Sequence, residues 1–277
     1  MFEMLDSTLL FPVKTLDQSR YIETFAAFVE RSSEYPAMIQ RLSKTFNSLA
    51  ENFTCLDIGA GTGKVIQDCL STGCKQPGNY VAIEPNSTHA DSLRKTILSE
   101  NIEAEIFEQE FNSRFPIPNT YDLILFSHSL YWLSDPVACV RLAYKALRPG
   151  GCVLIFIGGP FSFYTFFHLF NPLFERDRPI LPDHGFSSHE LVYGLRSAGF
   201  EPDISFDSTQ LDLTDLFEKK QEKNRDEFLS FCLQIEFSEL QEPVKSDAIN
   251  FVKNSCINYE DQIRWPHPSV TIYLTKR

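Results

Sequence analysis

Residues 55–65, CLDIGAGTGKV, set one carboxylate beside three alternating glycines. Asp57 ends an apolar run, and Gly59, Ala60, Gly61 and Gly63 follow before a helical pattern opens. Glycine turns sharply and lets main chain lie against a ligand with no Cβ in the way. The spacing is G-x-G-x-G, not the dinucleotide pattern G-x-G-x-x-G, and it suits a ligand without a pyrophosphate. Glu84, followed by Pro85 in YVAIEPN, stands 21 residues after Gly63. A carboxylate there can accept both hydroxyls of a ribose. In EQEFN, Glu110 can accept from an adenine amino group, and the backbone of Phe111 can face the ring edge.

A second cluster is FSHSLYWLSD, residues 126–135. An imidazole titrates near neutrality, so His128 suits proton acceptance or a hydrogen bond to a reacting group. A metal-ligand role is disfavoured, because no histidine or carboxylate partners it at usable spacing. Tyr131 reads as a pocket wall, and Asp135 with Pro136 as a helix cap and first turn. The plainer reading of His128 is a polar residue closing a strand.

The elements that must hold these residues alternate. Strands are expected at Thr54–Ile58, Tyr80–Ile83, Ala104–Phe107, Leu123–Phe126 and Val153–Ile157, with helices near 63–72, 86–99 and 135–147. Strand–helix repetition of this kind implies an α/β fold, a doubly wound parallel sheet with ligands at the strands' carboxyl ends. Residues 17–48 read as helical. The aromatic stretch GGPFSFYTFFHLFNPLF shows no clean period. Further on, a helix is expected at 188–198, a strand near 203–208, mainly amphipathic helix over 214–262, and a last strand in SVTIYLTKR.

Bulk properties narrow the partners. The 277 residues carry a formal charge of −12, which repels phosphate backbones and leaves nucleic acid an unlikely substrate, while a small cation is attracted. The 25 phenylalanines forecast an aromatic core or pocket wall. Seven cysteines form no CxxC pair, which points to a reducing, cytoplasmic setting. The start, MFEMLDSTLLFPVK, lacks a basic segment and cleavage site, and no run approaches 18 apolar residues, so no membrane association is expected.

The acid–glycine loop, Glu84 and EQEFN, each at a strand end and in this order, resemble the class I S-adenosylmethionine-dependent methyltransferases over about residues 53–158. That resemblance implies a seven-stranded Rossmann-like sheet with a helical N-terminal cap and helical insertions over the active site. It implies S-adenosylmethionine as cofactor, S-adenosylhomocysteine as product and no metal, with Ser127 a cofactor neighbour. Residues 20–38 and 122–136 are further similar to the histamine N-methyltransferases. In that family a glutamate at the position of Glu34 binds the substrate amine. His128 stands where the family has a substrate-contacting glutamine, and Tyr164 and His168 where it has two tryptophans. Pro268 matches a substrate-touching asparagine, with His267 beside it. These departures point away from histamine and keep a small cationic amine, imidazole or guanidine.

The resulting expectation is three parts. Residues 1–50 form a cap contributing to the substrate site, 51–160 the cofactor-binding core, and 161–277 the rest of the sheet with substrate-covering insertions. Glu34, His128 and Tyr131 carry catalysis, and Tyr21, Glu34, His128, Tyr131, Tyr164, His168, Trp265 and His267 bind substrate. The assembly is expected to be a monomer or weak dimer. An O-methyltransferase with His128 as base, a non-methylating cofactor-binding protein, and a variant in which the cofactor itself cyclises remain open.

Overall fold

The computed structural model describes residues 10–117, 120–181 and 185–277. They form two compact units. The first is 34–159, 186–207 and 269–277; the second takes the described parts of 1–33 and 160–185 together with 208–268. The stretches 1–50 and 161–277 read from the sequence are each divided between the two units, while 51–159 falls wholly in the first. Residues 1–9, most of the start MFEMLDSTLLFPVK, lie outside the described residues.

Among the described residues, seven strands build the first unit's sheet: β1 Thr54–Ile58, β2 Asn79–Ile83, β3 Ala104–Phe107, β4 Tyr121–Ser127, β5 Leu147–Gly158, β6 Asp203–Asp207 and β7 Ser269–Thr275. Their order is β3-β2-β1-β4-β5-β7-β6. The pairings from β3 to β5 are parallel, and β7 runs antiparallel to both β5 and β6. This is the doubly wound α/β sheet that the alternation implied. Chain order reverses between β1 and β4, where their carboxyl ends part and such sheets hold ligands.

Apolar runs become the inner strands because both faces are covered, while the edge strands β3 and β6 leave Ala104, Glu105, Asp203 and Phe206 exposed. Leu123 to Phe126 are essentially inaccessible, and their side chains split by the two-residue period. Leu56, Ile58, Val81, Ile83, Ile124 and Phe126 join one core layer; Cys55, Tyr80, Ala82, Leu123 and Leu125 join the other. Helices α1 Glu34–Ser48, α2 Lys64–Ser71, α3 Ser87–Glu100, α4 Pro136–Lys145 and α5 Ser188–Ser197 complete the unit. As expected, α4 starts with Pro136, and the Asp135 carboxylate accepts from the Ala138 N–H.

The second unit contains the helices Gln18–Val29, Phe163–Phe170, Glu222–Leu233 and Val244–Asn254. Gln262–Pro266 pairs antiparallel with Ile257–Tyr259 on one side and Gln210–Asp212 on the other. Much of the phenylalanine excess collects here, with Phe28, Phe166, Phe170, Phe174, Phe228, Phe231 and Phe237 buried in one core. Two expectations change. Residues 257–262, the end of the stretch expected to be mainly helix, belong instead to a hairpin that runs on to Pro266, with Glu260 in the left-handed region at its turn. The stretch without a clean period contains the helix Phe163–Phe170, whose aromatic residues leave no polar face to mark a period.

Candidate active site

Asp57 is the penultimate residue of β1 and is only 2% exposed. Strand register explains its partner. Cys55 lies opposite Tyr80 and Asp57 opposite Ala82, so Tyr80 is the diagonal same-face neighbour of Asp57. A tyrosine is long enough to span that diagonal, and its hydroxyl donates to Asp57 Oδ2 at 2.6 Å. The other oxygen, Oδ1, is buried with no hydrogen-bond partner among the described residues. Burial pushes the carboxyl up to about 7; the Tyr80 bond opposes this and the nearby Glu84 charge adds to it.

The glycine loop is packed from two sides. Gly59 has φ +77°, and a Cβ there would lie 2.4 Å from the Ser129 Cβ. Gly63, φ +81°, opens α2, and its Cβ would meet Leu93 Cδ1 at 2.6 Å. Ala60 is buried between them. The Ser129 hydroxyl donates to the Ile58 carbonyl at 2.6 Å, so the residue after His128 locks the loop to β1. Glu84, at the end of β2, accepts from the N–H groups of Gly61 and Asn86, each at 2.9 Å. His89 Nδ1 lies 3.7 Å from its Oε1. A carboxylate has about four lone-pair positions, so acceptor capacity is left for two hydroxyls. Pro85 and Glu110 are exposed, while the Phe111 ring is buried against Phe115 and Phe126.

At the end of β4, Ser127 Oγ donates to Met38 Sδ at 3.1 Å. His128 takes the left-handed conformation, φ +52°, and its N–H donates to the Phe156 carbonyl at 3.0 Å. The strand is stopped there and the imidazole leaves its line. The ring is partly exposed, with Nε2 3.5 Å from Oε1 of Glu34, which begins α1 and is 9% exposed. The Tyr131 ring lies nearly parallel to the imidazole, centroids 6.3 Å apart. Its hydroxyl accepts from the Gly158 N–H at 2.6 Å. Glu34, His128 and Tyr131, far apart in sequence, thus meet beside the β1–β4 switch point.

The remaining sequence candidates belong to the second unit. Tyr21 stacks on Phe25, and the rings of Tyr164 and His168 meet at a tilt of 58°, centroids 4.4 Å apart. Trp265 is buried with its ring against Phe166 and Phe228. His267 is buried too, its Nδ1 2.8 Å from Ser162 Oγ. Sequence reasoning missed Tyr80 and Ser129. Tyr80 becomes visible only once β1 and β2 are aligned, and Ser129 only once β4 is placed against the loop.

Known proteins agree with this arrangement. Residues 26–160 match a family described as a methyltransferase domain. A Geobacter sulfurreducens S-adenosylmethionine-dependent methyltransferase, in complex with S-adenosyl-L-homocysteine, aligns over 98% of this chain and 100% of its own at TM-score 0.53 and 12% identity. This is the class I S-adenosylmethionine-dependent methyltransferase fold. Histamine N-methyltransferase of Danio rerio is 26% identical over 170 residues, 53% of this chain and 58% of that protein. The mitochondrial arginine-hydroxylase NDUFAF5 of Rattus norvegicus is 28% identical over 193 residues, 64% of this chain and 51% of that protein. The chain spans little more than half the length of these curated relatives.

The residues fit the cofactor of a class I methyltransferase: an unpartnered buried carboxylate oxygen, a loop cleared of side chains, and a second carboxylate at the next strand end. Among the described residues, no group of three or more His, Cys, Asp or Glu side chains is placed to hold a metal ion. No helix among them is long and apolar enough to cross a membrane. The loop's packing gives a first test. Gly59→Ala adds a Cβ against Ser129 at a left-handed φ, strain on the order of 1–3 kcal/mol. Calorimetry is expected to show S-adenosylhomocysteine binding weakened about tenfold or more; unchanged binding would show that the loop tolerates the side chain.

Proposed function

We propose that the protein is an S-adenosylmethionine-dependent methyltransferase acting on a nitrogen of a small cationic metabolite, an amine, imidazole or guanidine. The observation that carries this reading is the Glu34–His128 pair beside the switch point, Nε2 to Oε1 3.5 Å. When bound, the cofactor supplies an electrophilic methyl on a sulfonium. Asp57 and Glu84 are its anchoring carboxylates, and Gly59, Gly61 and Gly63 leave room for its approach. A protonated nitrogen has no lone pair, so the protein must first take its proton. With Nε2–H turned toward Glu34, neutral His128 keeps a lone pair on Nδ1 to receive it. The carboxylate then faces an imidazolium, or directly faces the cation of the incoming substrate. Tyr131, fixed through its hydroxyl to Gly158, limits the imidazole's freedom from the ring side. In this reading Glu110, Phe111 and Ser127 contribute to cofactor binding.

The same pair supports a second reading, a phenol or carboxylate O-methyltransferase with His128 as base. One assay separates them. A panel of small amines, imidazoles, guanidines and neutral phenols is incubated with S-adenosylmethionine, reading S-adenosylhomocysteine release and product mass. N-methylated product from the cationic members supports the proposal. Turnover of phenols alone replaces it, and cofactor binding without any product removes both.

A further inference from the structure

We propose that binding of the cofactor expels a proton from Asp57, and that Tyr80 sets the pH range in which this happens. The inference rests on the cofactor site described above but adds a property that the site's residues alone do not imply. Asp57 is enclosed at the carboxyl end of β1, and only one of its oxygens is served, by the Tyr80 hydroxyl at 2.6 Å. Glu84, the neighbouring carboxylate, accepts two main-chain N–H groups instead. A buried carboxylate with one hydrogen bond and a like charge nearby is poorly compensated, so it holds a proton until a cation arrives. The cofactor's amino-acid end carries such a cation, an ammonium. Contact with it makes the ionised form of Asp57 the favoured one, and the proton leaves to solvent.

Among the described residues, the groups packed around Asp57 include no cation to do this work. On β1 itself, Cys55 is a fully buried thiol kept protonated by that burial. On β2 the facing groups are Tyr80 and Glu84, with His89 behind the latter. Next to Asp57 on β4 lies Leu125. From α1, Met38 and Leu42 pack into this layer, and Glu34 is paired with His128. From α2, Lys64 is held by Asp68 at the exposed side, and Cys69 is a buried thiol. Tyr80 is therefore a positioning residue with an electrostatic role. Among the described residues, its hydroxyl is the one group facing Asp57 that favours the charged form.

Calorimetry of S-adenosylhomocysteine, in buffers of different ionisation enthalpy from about pH 6 to about pH 9, counts the protons directly. The expected result is roughly half a proton released per ligand near pH 7, falling to none by about pH 9. Affinity should rise up to about tenfold per pH unit below 7 and flatten above 8. Methylthioadenosine, which lacks the ammonium, should bind without proton release from Asp57. Tyr80→Phe should move the midpoint upward while affinity at about pH 9 stays within about threefold of the parent. A pH-independent affinity with no proton release overturns the proposal, as does a Tyr80→Phe loss that is equal at every pH. Both outcomes leave the methyltransferase reading intact. Absence of S-adenosylhomocysteine binding at any pH overturns both, so the two failures are distinct. The proton count on the unaltered protein decides the matter even if the variant does not fold.

Discussion

His128→Ala is expected to lower kcat by about 10²- to 10⁴-fold, the usual contribution of a positioned acid–base group, while S-adenosylhomocysteine binds almost normally. The imidazole pairs with Glu34, whereas the carboxylates proposed to anchor the cofactor are held by Tyr80 and by main-chain N–H groups. Glu34→Gln keeps the shape and removes the charge. With Glu34 facing a substrate cation, KM for a cationic acceptor should rise about 30-fold, the equivalent of losing about 2 kcal/mol from a partly buried charge pair. An unchanged KM with reduced kcat would instead make Glu34 the residue that orients His128. Because the two side chains act through one contact, the double variant should lose far less than the product of the single losses. Multiplicative losses would show that the 3.5 Å contact has no role in turnover.

Asp57→Asn is expected to move function and stability in opposite directions. The amide still accepts from Tyr80 but cannot pair with an ammonium, so S-adenosylhomocysteine affinity at pH 8 should fall about 10- to 100-fold. Stability should rise. The carboxyl titrates at about 7 in the folded chain against an ordinary 3.8. Between those values the folded state holds more protons than the unfolded state, so rising pH removes stability across that window and none further above it. The full penalty is on the order of 4 kcal/mol. Removing it should raise the thermal midpoint at pH 8 by about 5 °C or more, with the gain shrinking toward pH 4. A midpoint that falls at pH 8 would mean that the charge is compensated in the folded protein.

Asp57, the glycines and Glu84 were legible in the sequence because their chemistry is local, a carboxylate or a bend at the end of an apolar run. Four of the five strands expected from the alternation could be placed for the same reason, since residues buried on both faces leave largely apolar text, whereas β3 is an edge strand with Ala104 and Glu105 exposed. What stayed hidden depends on register or long-range packing. Tyr80 reads as one more strand aromatic until β1 and β2 are aligned, and Ser129 as a linker until Gly59 is set against it. Glu34 and His128 were both nominated, but their meeting needs α1 to be folded onto the sheet. Residues 257–262 were misread as part of a helical stretch because Ile257 and Tyr259 alternate at a strand period that is broken by the turn around Glu260.

The place of β7 carries a consequence for how the chain reaches this state. It is the last of the seven strands to be synthesised, yet it sits between β5 and β6, pairing with both. Until it docks, β6 has no neighbour and β5 presents an open edge carrying Val153, Ile155 and Ile157. Such an edge is a template for pairing with another chain. On the ribosome, β1 to β5 can assemble early, while one flank of the sheet waits for β7. The vulnerable interval is therefore the one between the emergence of β5 and that of β7, when a chaperone that shields strand edges would do most to raise the yield of native protein.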